Sequence, residues 1–236
     1  FALVRADDHR AAKQRLENAL HDAELEAVDI AAGPSADGRV VALAGSLDVD
    51  GLGLDEGVYD QVAHDVGLIH HVGAVVTAGG AYEDLRDVNV GGTRRVLELA
   101  MSGRRKAVHF VSSLNVALLL AASGVRQVLE DTPLPETLTE DLVSRSLPYA
   151  VSKWVGERML HNLVAVTEGA IQVSISRPAL ITWSTRTGVA NDTDWFTRTL
   201  RSCVELGCLI GLPEAGVARW MPRLSLIHIS EPTRPR

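Results

Sequence analysis

The chain has 236 residues, of which 46% are apolar and 22% charged, with a formal net charge of −7. That length can bury a proper core, and no apolar run approaches the ~18 residues of a membrane span. The acidic balance disfavours nucleic acid or an anionic membrane as partner and says nothing about small substrates.

In chain order, Phe1-Ala2-Leu3-Val4-Arg5 reads as the end of a buried strand, without an initiator methionine or a signal peptide before it. A helix is predicted over residues 8–27, then a turn at Gly33-Pro34-Ser35-Ala36-Asp37-Gly38 and a strand at Arg39-Val40-Val41-Ala42-Leu43. A helix over 55–64 leads to a strand at Val66-Gly67-Leu68-Ile69-His70-His71. A helix over 89–101 leads to Ala107-Val108-His109-Phe110-Val111. Residues 130–146, with prolines at 133 and 135 and five acidic residues, are expected as a surface excursion. A helix over 149–168 and a strand at Ile171-Gln172-Val173-Ser174-Ile175 follow. Strand–helix alternation of this kind predicts an α/β fold, a doubly wound parallel sheet with helices on both faces. Ligands of such sheets lie beyond the carboxyl ends of the strands. Cys203 and Cys208, five apart in a predicted helix, form no disulfide or metal pattern and are expected as buried thiols of a cytosolic protein.

Tyr149-Ala150-Val151-Ser152-Lys153 puts a phenol and an amine one helical turn apart on one face. An ammonium ~4–6 Å away is expected to lower the phenol's pKa and make its proton transferable near neutrality. Such a pair alone arises often by chance. Its context is Phe110-Val111-Ser112-Ser113, a buried strand ending in two hydroxyls where a substrate carbonyl would lie. Ser113 is the expected donor to that carbonyl, with Ser112 one register step away as the fallback. Asn89-Val90-Gly91-Gly92-Thr93 opens a helix whose glycines allow close approach to the sheet. Arg177-Pro178 ends the last strand.

Together these residues resemble the extended short-chain dehydrogenase/reductases, and more closely the thioester reductase domains of nonribosomal peptide and polyketide synthetases, carboxylic acid reductases and aminoadipate reductases. The finer match lies in Leu3-Val4-Arg5-Ala6 with Arg15-Leu16, Leu52-Gly53-Leu54, Ile69-His70-His71-Val72-Gly73-Ala74 and Ser152-Lys153-Trp154-Val155-Gly156-Glu157. Thr187-Gly188-Val189-Ala190-Asn191-Asp192-Thr193-Asp194 and Cys203-Val204-Glu205-Leu206-Gly207 carry it most specifically.

The resemblance implies a Rossmann-like domain over residues 1–178 and the start of a substrate-binding region over 179–223. It implies NADPH as cofactor and a phosphopantetheine-bound acyl thioester on a carrier protein as partner, reduced to an aldehyde or further to an alcohol. Ser113, Tyr149 and Lys153 would be catalytic. Arg5, Arg15, Ser46, Leu47, Gly73, Ala74, Asn89, Tyr149, Lys153 and Pro178 would surround the cofactor, with Arg5 on the adenosine 2′-phosphate, to which a guanidinium's forked donors are suited. No metal is implied. The family's first strand and glycine-rich phosphate loop would precede Phe1, so weak NADPH binding by these 236 residues is expected; micromolar affinity in a fluorescence titration would overturn that expectation. Residues 224–236 resemble the translation of a transposase-type sequencing adapter and are expected to be non-native. Ser46 stands where the family usually has aspartate, Val72 where it has a polar residue, and Trp183 where it has glycine. The alternatives are a free-standing extended reductase or epimerase acting on a small carbonyl compound or nucleotide-sugar, and a non-catalytic NADP-sensing module.

Overall fold

A computed structural model describes residues 1–77 and 79–207, together with the backbone of 220–221. Cys208 and residues 224–236 lie outside the described residues. Two compact units are present: Phe1–Ala19 with Ala27–Arg177, and Leu20–Glu26 with Pro178–Arg236.

The first unit follows the predicted alternation. Its elements are β1 (Ala2–Val4), α1 (His9–Asp22, running into the second unit), β2 (Ile30–Ala32), β3 (Val40–Ala44), α2 (Glu56–Asp65), β4 (Leu68–His71), a short α3 (Glu83–Leu85), α4 (Gly92–Met101), β5 (Ala107–Val111), α5 (Leu114–Ala122), α6 (Glu140–Arg145), α7 (Pro148–Val166) and β6 (Val173–Ser176). Every strand pairing in it is parallel. The strands form two three-stranded sheets, β1-β3-β2 and β4-β5-β6. Among the described residues, β1 and β4 each have a strand partner on one side only. A shared core nevertheless runs beneath both sheets: Leu43 of β3, Val62 and Ala63 of α2, and Val96 and Leu99 of α4 form one apolar cluster, against which Ile69 of β4 packs.

Several boundaries differ from the sequence reading for local reasons. α1 ends at Asp22, five residues short of the prediction, because Glu24 takes a left-handed φ of 50° that no helix can continue through. The segment before α4 is a π-helical turn, Arg86–Gly91. The excursion over 130–146 is not purely a surface feature. It contains α6, capped by Thr139, and buries Leu134 and Leu142 against the α5 and α7 side of the unit. β2 was not expected; it pairs in parallel with β3, and Gly33 at φ 85° begins the loop that carries the chain back to the start of β3.

α7 carries the site and explains its own placement. Pro148 occupies its first turn, where the missing N–H costs nothing. Its buried stripe is Ala150, Val151, Lys153, Gly156, Glu157, Leu160 and Leu163, an i, i+3, i+4 pattern interrupted by two charged residues. Phe110, Leu160, Leu163 and Ile171 form the core between this helix and β5. A Cβ on Gly156 would lie 2.7 Å from the end of the Phe110 ring, and that ring is itself buried with nowhere to retreat. Gly156→Val is therefore expected to lower stability by about 1–3 kcal/mol through overpacking. An unchanged urea midpoint would show that α7 does not sit this close to β5.

The second unit contains a parallel pair, β7 (Leu180–Ile181) with β8 (Trp220–Met221), and α8 (Trp195–Leu206). Asp194 caps α8 by accepting from the backbone N–H groups of Phe196 and Thr197, and Gly207 ends it in the left-handed region. Trp183 stacks on Phe196 at 6.4 Å between ring centroids, and Cys203 is a buried free thiol. No helix among the described residues is long and apolar enough to cross a membrane.

Candidate active site

Because the strands within each sheet are parallel, their carboxyl ends share an edge, and most of the predicted residues follow those ends. Arg5 follows β1, Ser46 and Leu47 follow β3, Gly73 and Ala74 follow β4, and Ser112 and Ser113 follow β5.

Lys153 is buried, 3% exposed. Its Nζ donates to the Val111 carbonyl at 2.8 Å and lies 4.7 Å from the Phe110 ring centroid and 5.9 Å from that of Tyr149. Among the described residues Lys153 makes no direct ion pair. Burial pushes its pKa down to about 8, against an opposing pull from the Glu157 charge. Tyr149 is partly buried, and that burial raises its phenol above the usual value of 10. The expected lowering of Tyr149 by Lys153 is thus corrected: desolvation governs the phenol, and the group brought close to neutrality is the amine. A phenol that keeps its proton is suited to donating it to an oxyanion.

Ser113 and Ser112 separate cleanly. Ser113 takes an extended conformation as the N-cap of α5, its Oγ accepting from the Asn115 N–H at 3.2 Å, and the side chain stays partly exposed. Ser112 is buried, and its hydroxyl donates to Glu157 at 2.5 Å. Its proton is committed there, so the fallback role does not suit it.

Asn89 is a bracket between the loop after β4 and α7. Its side-chain carbonyl accepts from the Val75 N–H at 2.8 Å, and its amide donates to the Val75 carbonyl at 3.0 Å and to Ser152 Oγ at 3.0 Å. The π-helical turn holds this buried residue. Thr93 Oγ1 donates to the Asn89 carbonyl at 2.6 Å and contacts His71 Nε2 at 3.0 Å. The hydroxyl proton is used on Asn89, so His71 is the donor to Thr93. Burial and the nearby Lys153 charge push His71 down to about 4, which keeps it neutral. Gly92 permits the expected close approach: a Cβ there would meet the Leu47 Cβ at 2.8 Å and its carbonyl at 3.2 Å. Gly73 also faces Leu47, whose methyl would stand 2.9 Å from an added Cβ.

A second feature lies past β1. Arg5, Ala6, Asp7, Ala11 and Arg15 line an open hollow of about 410 Å³, and Arg15 Nη1 donates to the Arg5 carbonyl at 2.7 Å. Neither arginine has an ion-pair partner among the described residues. Two guanidinium groups at one hollow fit an anionic group, although Asp7 adds a negative charge at its rim. Ser46 hydrogen-bonds Asp48, and Arg95 of α4 donates to the Leu47 carbonyl at 3.1 Å and to Asp50 at 2.8 Å, so the loop after β3 is held from within and by α4. Pro178 is the first residue of the second unit's longer segment.

Sequence reasoning missed His71, Thr93 and Ser152 as the supporting network, and Glu157 as the partner of Arg177. The only signal for Glu157 was a carboxylate one turn beyond Lys153 on an otherwise apolar face.

Comparison with known proteins agrees with this architecture. The NAD-binding family described as male sterility protein matches residues 1–223. Aldehyde reductase lnaA of Aspergillus flavus is 34% identical over 212 residues, which cover 89% of this chain and 19% of that protein. The nonribosomal peptide synthetase asaC of the same organism is 34% identical over 206 residues, covering 87% of this chain and 19% of the synthetase. The chain thus spans about a fifth of the length of these relatives. Among solved structures, the terminal R domain from the myxalamid PKS-NRPS biosynthetic pathway superposes with a TM-score of 0.73 at 28% identity, covering 93% of this chain and 52% of that domain.

Proposed function

The chain belongs to the NAD-binding male sterility family, and from that premise we propose that it is the cofactor-binding part of an NADPH-dependent reductase of carrier-bound acyl thioesters. The carrying observation is the buried Lys153 ammonium on the same helical face as Tyr149, anchored to the end of β5 immediately before the two serines.

The nicotinamide cofactor would supply hydride to the thioester carbonyl carbon. Ser113 Oγ–H and Tyr149 O–H converge on the carbonyl oxygen, and Tyr149 gives its proton to the oxygen as negative charge develops there. The resulting hemithioacetal collapses by breaking the C–S bond, giving an aldehyde and the free thiol of the carrier arm. Lys153 would hold the cofactor ribose, and its positive charge would favour the phenolate that Tyr149 leaves behind. Names among the relatives, an aldehyde reductase and a nonribosomal peptide synthetase, support both halves of this reading.

NADPH rather than NADH is supported by the Arg5 and Arg15 hollow, because a 2′-phosphate would give both guanidinium groups a partner. Arg5→Ala is expected to reduce the preference for NADPH over NADH by roughly 10- to 100-fold, the worth of a charge-assisted hydrogen bond. An unchanged ratio of kcat/KM for the two cofactors would remove Arg5 from that role. The reaction itself is tested by NADPH oxidation with an acyl-phosphopantetheine thioester, using the protein at its full natural length. Thioester-dependent oxidation with aldehyde release is expected. Its absence, alongside turnover of a free small carbonyl compound, would sink the thioester reading.

A further inference from the structure

Glu157 is the least expected residue of the buried set. It is fully enclosed, 0% exposed, on the sheet-facing side of α7 one turn after Lys153. A lone carboxylate in such a place would cost several kcal/mol, so its partners are informative. Arg177, at the end of β6, donates Nε to Oε1 at 2.9 Å and to Oε2 at 3.2 Å, and Nη2 to Oε2 at 2.6 Å. Ser112, at the end of β5, donates its hydroxyl to Oε1 at 2.5 Å. Both oxygens therefore accept only, as a carboxylate does. One side chain ties α7 to the carboxyl ends of two neighbouring strands, immediately beside Ser113.

We propose that Glu157, held by Ser112 and Arg177, is a positioning residue that locks α7 onto the ends of β5 and β6 and sets the charge state of Lys153 from one turn away. The geometry gives it both tasks. Lys153 is anchored to Val111 and Glu157 to Ser112, so two consecutive residues at the end of β5 hold two successive turns of the same helix. Of the charged groups near Lys153, only Glu157 favours the ammonium. His71 on β4 is neutral and Tyr149 on α7 keeps its proton. α5 carries no titratable side chain, α3 presents only exposed acids, and β6 reaches the lysine through Arg177 and Glu157 alone. Arg177 acts in the opposite sense: by pairing with Glu157 it moderates the pull that Glu157 exerts.

This inference concerns the reading of Lys153 as a working group, but its test is independent of cofactor and substrate. The chain contains three lysines, at positions 13, 106 and 153. Lysine labelled at ¹³Cε can therefore be followed through a pH titration by NMR, with the signals assigned by single replacements. In the unmodified protein the buried Lys153 should titrate near pH 8, well below the usual lysine range. Glu157→Gln, which keeps the size of the side chain and removes its charge, should move that midpoint down by at least about half a pH unit. Arg177→Gln should move it up, and Arg177→Lys should leave it in place. A purely structural role would move both charge-changing variants the same way or not at all, and either result overturns the proposal. If Glu157→Gln does not fold, as judged by circular dichroism, the two Arg177 variants decide. An unmoved or lowered midpoint in Arg177→Gln then overturns it.

Discussion

Tyr149→Phe is expected to cut the turnover of thioester reduction by roughly 10²- to 10⁴-fold while leaving cofactor affinity within a few-fold of the parent. The ring packs near Lys153, with its centroid 5.9 Å from Nζ, and phenylalanine preserves that packing. What disappears is the phenol proton proposed to reach the substrate oxygen. Burial raises the phenol, so in the parent it is fully protonated across the neutral range, ready for the reducing direction. The loss should therefore appear in kcat, with little change in the KM for NADPH. Ser113→Ala should cost less, about 10²-fold, because one oxyanion donor remains. Equal rates in the parent and Tyr149→Phe would remove the proposed mechanism.

How much of this was legible in the residues is best judged piece by piece. The parallel fold was readable because β3, β4, β5 and β6 are short β-branched runs, each entered after a turn or a helix, which only crossover connections can join. The short strand β2 and its pairing with β3 were not readable. Strand pairing is a long-range property, and nothing in Leu3 or Leu68 says which neighbour each edge has. The Tyr149–Lys153 spacing gave the right face but the wrong electrostatics, since spacing encodes distance and says nothing of desolvation. Ser113 and Ser112 could be ranked only once β5 was seen to direct Ser112 inward to Glu157. The His71–Thr93–Asn89–Ser152 network was invisible because its hydrogen-bonded pairs are 4 to 63 residues apart in sequence and meet through a π-helical turn that periodicity does not announce. Arg177 looked like punctuation before a proline, and proves to be half of a buried ion pair with Glu157.

Lys153→Met should separate activity from stability more sharply than any other change. Activity is expected to fall at least about a hundredfold, since the replacement removes both the ribose contact and the cation that favours the Tyr149 phenolate. Stability near pH 7 should rise. A lysine that titrates at about 8 when folded, against 10.5 when exposed, binds its proton more weakly in the native state. The unfolded chain therefore holds more protons between those two values, and folding is penalised wherever the native amine must be charged. At pH 7 that penalty is about 3 kcal/mol. Methionine, of similar length and apolar, avoids it, at a cost of about 1 kcal/mol for the hydrogen bond lost at the Val111 carbonyl. The net gain should be about 2 kcal/mol, read as a higher urea midpoint. Glu157 does not cancel this, because Arg177 and Ser112 continue to satisfy it. The sign fixes the pH dependence: the difference is full below pH 8, shrinks as the parent's lysine deprotonates, and is lost above pH 10.5. The parent's activity should run the other way, declining as pH rises past 8 and the ammonium disappears. A methionine variant less stable than the parent at pH 7, or an alkaline limb absent below pH 10, would mean that Lys153 is neither as buried nor as strained as its surroundings require.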